Sequence, residues 1–331
     1  MFTRDGHSRK KMAIIASYFK DETYGLLGPQ MAATIIQDHT PYDCIVIGVT
    51  REDDKATIKK GLAEFFESQR PVIGFSTLSG REDLFALAAE LRAEGAVTIL
   101  AGPQADVDFI GEQGRQDHPY RFQGLADNFD FSLHGPAEQA IHLLNRLDIH
   151  DRSQIPGLLY EDPDGRIIQN PPKEWNPDYL SKVRWDNMYT LGVNGLTPLV
   201  IGMGQVLQHI GCPHAARTRK ATIDYPVFVS GKQGQRIELS LSGCSFCDVA
   251  VDKGFCGRLG METVLSQIRC LPQTRDGRKI PFELINENPL PNLPELLREV
   301  ARRGEGLTQV NLTLRADYLI AGAKYLRDAL G

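Results

Sequence analysis

Apolar runs of strand length alternate with amphipathic stretches through the first 150 residues of this 331-residue chain. Residues 12–19, 42–49, 72–76 and 97–101 are near-continuous apolar runs, and 129–133 is a shorter one. Between them, 28–38, 54–68, 81–94 and 137–147 carry apolar side chains at helical spacing, as in Ile58, Leu62, Phe65 and Phe66, or Leu84, Leu87 and Leu91. A strand apolar at every position is buried on both faces, so the pattern predicts a parallel sheet with helices on either side. Five such units within residues 12–147 predict a flavodoxin-like, doubly wound parallel sheet. Sheets of that kind take ligands at the carboxyl ends of their strands.

The pattern changes over 148–200, where Pro156, Pro163, Pro171, Pro172 and Pro177 punctuate the chain. Residues 157–160 and 166–169, split by Asp162-Pro163-Asp164-Gly165, predict a small hairpin. The rest of this stretch reads as linker, with Trp175 and Trp185 packing it onto a domain. Alternation then resumes. Residues 236–241, 280–285 and 310–314 read as strands, and 261–270, 293–303 and 321–330 as helices. The expected division is a sheet domain over 1–150, a connector over 151–200, and three βα units within 201–331.

Composition narrows the function classes. A net charge of −5 favours neither nucleic acid nor an anionic membrane as a partner. No apolar run approaches the roughly 20 residues that span a bilayer. The first eleven residues are basic and polar, without the apolar core of a signal peptide. Six cysteines in a chain of this length do not make a disulfide scaffold, and a cytoplasmic, reducing setting is expected.

The cysteines also carry the strongest candidate chemistry. Cys244 and Cys247 follow the strand expected at 236–241, in the loop Gly243-Cys244-Ser245-Phe246-Cys247. Two thiolates at this spacing can grip one metal centre from the same side of a tight turn. A redox disulfide would need the pair at a helix amino terminus, whereas a polar loop over 248–260 follows here. A second candidate site lies at the ends of two apolar strands. Ser76-Thr77-Leu78 closes the third and Ala101-Gly102-Pro103-Gln104 the fourth. A hydroxyl there can bond a ligand, and a glycine lets a flat ligand approach the backbone.

These motifs together resemble the radical S-adenosylmethionine (SAM) proteins that carry an N-terminal cobalamin-binding domain. Ala101-Gly102-Pro103-Gln104 stands at that family's Gly-Gly-Pro-His place, and residues 130–138 at its Gly-Glu-Gly-Glu place. Ile155-Pro156-Gly157-Leu158 resembles the family's connector. The strand over 236–241, the cysteine loop and Arg258-Leu259-Gly260-Met261 resemble the opening of its barrel. The resemblance extends over the chain apart from 176–229. It implies a cobalamin held by Ser76, Leu78, Gly102 and Pro103, and a 4Fe-4S cluster on Cys244, Cys247 and a third cysteine. It further implies SAM at the open iron, with Glu287 for its amino group and Arg315 for a carboxylate. The implied activity is radical chemistry such as methyl transfer to a small-molecule or peptide substrate, supported by an electron donor.

Three positions depart from the family pattern. Ser240 stands where the first cluster cysteine is expected, and serine is a poor thiolate substitute, so Cys256 or Cys212 must supply the third ligand. Cys44 and Cys270 are expected in the core. The loop over 20–25 has no histidine, so none from there holds the lower face of cobalt. Three βα units fall short of a closed barrel, so the strand over 310–314 is expected to need cover from further sequence or another chain. A different class of function is compatible with the same residues: a non-catalytic flavodoxin-like binding module with a structural zinc on Cys212, Cys244, Cys247 and Cys256 or a nearby histidine.

Overall fold

The structure is a computed structural model. It describes residues 9–77, 81–102, 104–105, 128–173, 176–192, 195–211, 218–225, 228, 231–242 and 257–330. The fold is mixed α/β around a large, mainly parallel sheet. Its strands are β1 (Lys10–Ser17), β2 (Tyr42–Val49), β3 (Val72–Ser76), β4 (Val97–Ala101), β5 (Phe131–Leu133), β6 (Leu158–Glu161), β7 (Ile167–Gln169), β8 (Met188–Gly192) and β9 (Gly195–Pro198). They lie in the order β7-β6-β5-β4-β3-β1-β2-β8-β9. The central strands from β5 to β8 are parallel, and β6, β7 and β9 are antiparallel additions at the two flanks.

Side chains alternate across a strand, so a run that is apolar throughout feeds two cores. Along β1, Ala13 and Ile15 join the core under helices α2 (Lys55–Phe66) and α3 (Glu82–Ala93). Met12, Ile14 and Ala16 join the core under α1 (Leu27–His39) and α4 (Gln139–Leu144). Helix α2 starts where Asp54 caps it, its carboxylate accepting from the Thr57 amide at 2.7 Å. Helix α1 is buried on two sides. Ala33 and Ile36 face the sheet, while Met31 and Ile35 enter a third core with the later part of the chain.

That later part holds β10 (Gly204–Leu207), β11 (His209–Ile210), β12 (Thr218–Asp224), β13 (Arg236–Ser242), β14 (Gly257–Arg258), β15 (Phe282–Ile285) and β16 (Val310–Leu312). Its helices are α5 (Met261–Cys270), α6 (Leu293–Arg302) and α7 (Ala316–Leu330). Strands β10, β15 and β16 form a parallel sheet, β11 pairs antiparallel with β14, and β12 with β13.

Two expectations are corrected here. The stretch after the small hairpin is not simply linker, because 188–198 supplies β8 and β9. Strand β8 is parallel to β2, and the Val46 amide donates to the Asn187 carbonyl at 2.8 Å. The run 236–241 is not a strand of the parallel sheet. It forms β13 of a separate antiparallel ribbon, and the parallel sheet starts instead at β10. Ile237, Leu239 and Leu241 alternate there with Arg236, Glu238 and Ser240, which is the period of a strand with one polar face. Pairing places Ile223 opposite Ile237 and Ala221 opposite Leu239, so the ribbon has an apolar face and a polar one.

Candidate functional site

The carboxyl ends of β1, β3, β4 and β5 enclose a cavity of about 560 Å³ on the α1/α4 side of the sheet. Small residues open the gap between the layers. Gly74 in β3, Ala32 on α1 and Ala140 on α4 all line it, with Ile14, Ile99 and Leu143 as apolar walls. A Cβ on Gly74 would stand 3.4 Å from both Ile14 and Met12 side chains.

Ser76, Thr77 and Gly102 lie together at this edge. Gly102 has φ of +81°, a backbone conformation that favours glycine, and a Cβ there would stand 2.9 Å from Ser76 Oγ. Thr77 is only 1% exposed, and its hydroxyl has no hydrogen-bond partner among the described residues. A buried hydroxyl left unpaired costs about 1–3 kcal/mol, and a ligand with a polar atom at this wall would recover part of it.

The loop after β1 forms the rim. The Tyr18 hydroxyl donates to the carbonyl of Glu22, and also lies 3.2 Å from that of Tyr24. Burial, with the Glu22 charge adding to it, pushes Tyr18 up to about 12, so it remains a protonated donor at neutral pH. The same loop is stitched to the start of β10. The Gly25 amide donates to Met203 at 3.1 Å, and the Gly202 and Met203 amides donate to Thr23 at 2.9 and 3.2 Å. The cavity rim and the second sheet are therefore joined by backbone hydrogen bonds.

A polar clamp holds the carboxyl ends of β10 and β15. Gln208 is 1% and Asn286 7% exposed, and the Asn286 amide donates to Gln208 Oε1 at 2.7 Å. Gln267 of α5 brackets Leu207, accepting from its amide at 2.8 Å and donating to its carbonyl at 3.1 Å. Sequence reasoning missed this clamp; its signal is the polar residue directly after each apolar strand. Glu287 follows Asn286 and is exposed. Arg315 follows β16 and is ion-paired to Asp317 at 3.0 Å. Both stand at the carboxyl edge of the second sheet, after neighbouring strands.

Leu78, Pro103, Cys212, Cys244, Cys247 and Cys256 lie outside the described residues. Their flanks are described. Ile210 pairs with Gly257, and Thr218 with Ser242, so 212–217 and 243–256 are bracketed by the same two ladders. Ser240 lies inside β13 opposite Lys220, which removes it from the end of a parallel strand. Among the described residues no three His, Cys, Asp or Glu side chains form a metal-binding group. Cys44 is buried in the core, and burial pushes its thiol far above the usual range. Cys270, expected in the core, is exposed, because it ends α5 on the side away from Val264, Leu265 and Ile268.

No protein-family model matches the sequence, and no curated protein matches it either. Solved structures do share its architecture. They include the cobalamin-dependent SAM radical enzyme OxsB with aqua-cobalamin and SAM bound, at TM-score 0.56 and 12% identity, over 90% of this chain and 38% of that one. OxsB with aqua-cobalamin alone gives TM-score 0.57 at 11% identity, over 96% of this chain and 42% of that one. The apo form gives 0.57 at 10%, over 97% and 42%. The fold resembles that of a cobalamin-dependent radical enzyme. At such identities the likeness is one of fold, and the site must carry any statement of function. The chain spans about two fifths of the length of these solved proteins. No helix among the described residues is long and apolar enough to cross a membrane.

Proposed function

We propose that this chain is the cofactor-holding part of a cobalamin-dependent radical SAM enzyme, with its cobalamin in the cavity at the carboxyl edge of the main sheet. The observation that carries this reading is the cavity itself. It lies where β1 and β3 meet, in a strand order β2-β1-β3-β4-β5 of the flavodoxin type, which binds ligands at that switch point. Its wall presents a glycine at positive φ and a buried hydroxyl without a partner among the described residues, which suits a large, flat ligand carrying polar edges.

In this reading Ser76, Thr77 and Gly102, with Leu78 and Pro103, hold the cobalamin. Tyr18 keeps the rim loop in place by its hydrogen bonds to Glu22 and Tyr24. No histidine in 20–25 meets the lower face of cobalt. The second unit corresponds to the opening of a radical SAM barrel, completed at β16 by further βα units from more sequence or from another chain. Cys244 and Cys247 bind a 4Fe-4S cluster, with Cys212 as the third ligand. Cys212 is favoured over Cys256 because it follows β10, the first strand of the parallel sheet, through β11. Glu287 and Arg315 stand at the same edge to bind the amino and carboxylate groups of SAM. When bound, these cofactors supply methyl carriage and one-electron initiation; the protein supplies orientation and water exclusion. The substrate is a small molecule or peptide, and an electron donor is the implied partner.

Equilibrium dialysis of the full chain against hydroxocobalamin tests the cavity. Saturable binding that Gly102→Phe abolishes is expected, and no binding would leave the sheet a scaffold. Anaerobic reconstitution with iron and sulfide tests the second site. A brown protein whose iron is lost in Cys212→Ala, Cys244→Ala and Cys247→Ala is expected. A colourless protein holding zinc instead would favour a structural site closed by four ligands.

A further inference from the structure

A second cavity, of about 430 Å³, opens at the opposite end of the same interlayer space. It is lined by residues at the amino ends of β1 to β5, including Lys10, Tyr42, Val72, Val97 and Phe131. Arg70, Arg152 and Asp148 reach it from the adjoining loops.

Its charges do not cancel internally. Lys11 is paired with Glu67 at 3.0 Å, and Asp130 is taken by Arg92 at 3.0 Å and the Thr98 amide at 2.8 Å. Lys10, Arg70 and Arg152 then face one remaining lining carboxylate, Asp148. Cations at this edge of a parallel sheet ordinarily serve the carbonyls that end the helices. Arg9 already does so for α1, donating to Gln37, Thr40 and Tyr42 at 2.5, 3.0 and 2.6 Å, and Arg70 does so after α3 through its Nε, which donates to the Gly95 carbonyl at 3.0 Å and leaves its terminal nitrogens towards the cavity. Arg152 is differently placed. Its guanidinium lies 5.0 Å from the Phe131 ring centroid, and its Nε is buried without a hydrogen-bond partner among the described residues. Arg152, Arg70 and Lys10 beside apolar walls, with one free lining carboxylate, form a rim suited to an anion with an apolar part. Burial, with the Asp148 charge adding to it and Arg70 opposing, raises the Tyr42 hydroxyl above its ordinary value, so it stays a neutral hydrogen-bonding group.

We propose that this cavity binds a small organic phosphate, its dianionic group held by Arg152, Arg70 and Lys10 and its apolar part against Phe131, Val72 and Val97. The excess of cations over free carboxylate matches a dianion better than a carboxylate, and guanidinium forks suit phosphate oxygens. The site is independent of whatever occupies the cavity at the carboxyl edge.

Titration calorimetry of the full chain with phenyl phosphate, inorganic phosphate and benzoate tests the assignment. Phenyl phosphate should bind saturably, and inorganic phosphate more weakly because it lacks the apolar part. Benzoate should bind roughly tenfold more weakly than phenyl phosphate, the order expected for losing one charge-assisted hydrogen bond. Arg152→Met, which keeps the stem over Phe131, and the exposed Arg70→Met should each weaken phenyl phosphate about tenfold. Lys20→Met, away from the cavity, should leave it unchanged, and circular dichroism checks that each variant is folded. Absence of saturable phenyl phosphate binding overturns the proposal. So does binding that both arginine variants leave unchanged. Benzoate binding as tight as phenyl phosphate overturns the assignment to phosphates.

Discussion

The two parallel sheets are built from similar βα units, yet they differ in how far they bury themselves. In the main sheet, β1 to β4 are covered on both faces, and Ile15, Ile47, Ile73 and Phe75 are fully buried. In the second sheet only β10 and β15 have a fully buried member, in Val206 and Phe282. Strand β16 is half-exposed throughout, and α7 after it leaves Ile320 and Leu330 each 80% exposed. A strand hydrogen-bonded on both sides and roofed on both faces needs nothing more, whereas β16 pairs on one side among the described residues. The first unit thus holds its cavity with its own atoms, whereas the second leaves β16 as an edge strand among the described residues.

The largest expected effect sits in the first unit. Phe75→Ala should cost about 3–5 kcal/mol, as for a large aromatic removed from a closed core, while Leu312→Ala in β16 should cost about 1 kcal/mol. Denaturant unfolding of both variants checks this, and equal losses would erase the contrast between the sheets. Next is the cavity rim. Gly102→Val forces a β-branched residue to φ of +81° and should cost about 1–3 kcal/mol, together with loss of cobalamin binding. A variant of unchanged stability would mean that the rim backbone relaxes freely.

Tyr18 gives a pH signature confined to the first unit. Its folded value of about 12 exceeds the ordinary 10.0, so the folded state favours the neutral phenol. The stabilisation it contributes is complete below pH 10 and is lost as pH rises through about 12. Alkaline unfolding should therefore shift upward in Tyr18→Phe, and an unshifted curve would mean the phenol is not constrained by the rim. The smallest effect should be opposite in sign. Thr77→Val removes a buried hydroxyl that lacks a partner among the described residues and should stabilise the free protein by about 1 kcal/mol while weakening cobalamin. A destabilised variant would show that the hydroxyl is already satisfied.

How much of this was legible in the sequence follows the same divide. The bounds of β2, β3 and β4 fall where their apolar runs begin and end, because burial on both faces favours apolar residues at nearly every position. The rim motifs, with Ser76 beside Gly102, could be read because strand ends follow from strands. The second unit was harder. Strand β10 is four residues long and contains Gly204 and Gln205, which hides it from any periodicity. Its neighbour in the sheet arrives 78 positions later, so although a polar residue follows each strand, nothing local pairs Gln208 with Asn286. The ribbon misled because three alternate apolar residues resemble a strand of the core until the partner strand is known. Strand β8 was lost for a related reason, since only Met188 in it is fully buried.

The ribbon also changes what distance along the chain means. Thr218 stands across from Ser242, so residues 219–241 leave one point and come back to it. Counted as a detour, they add nothing to the path that runs from β11 through 212–217 and 243–256 to β14. An antiparallel ladder can be shortened at its tip in matched pairs without shifting either foot. Trimming the ribbon to a tight turn would compress the long interval between Cys212 and Cys244 towards that of an ordinary loop. The feet of the ladder, rather than the number of residues between them, then set how far apart the described ends of 212–217 and 243–256 stand at Thr218 and Ser242.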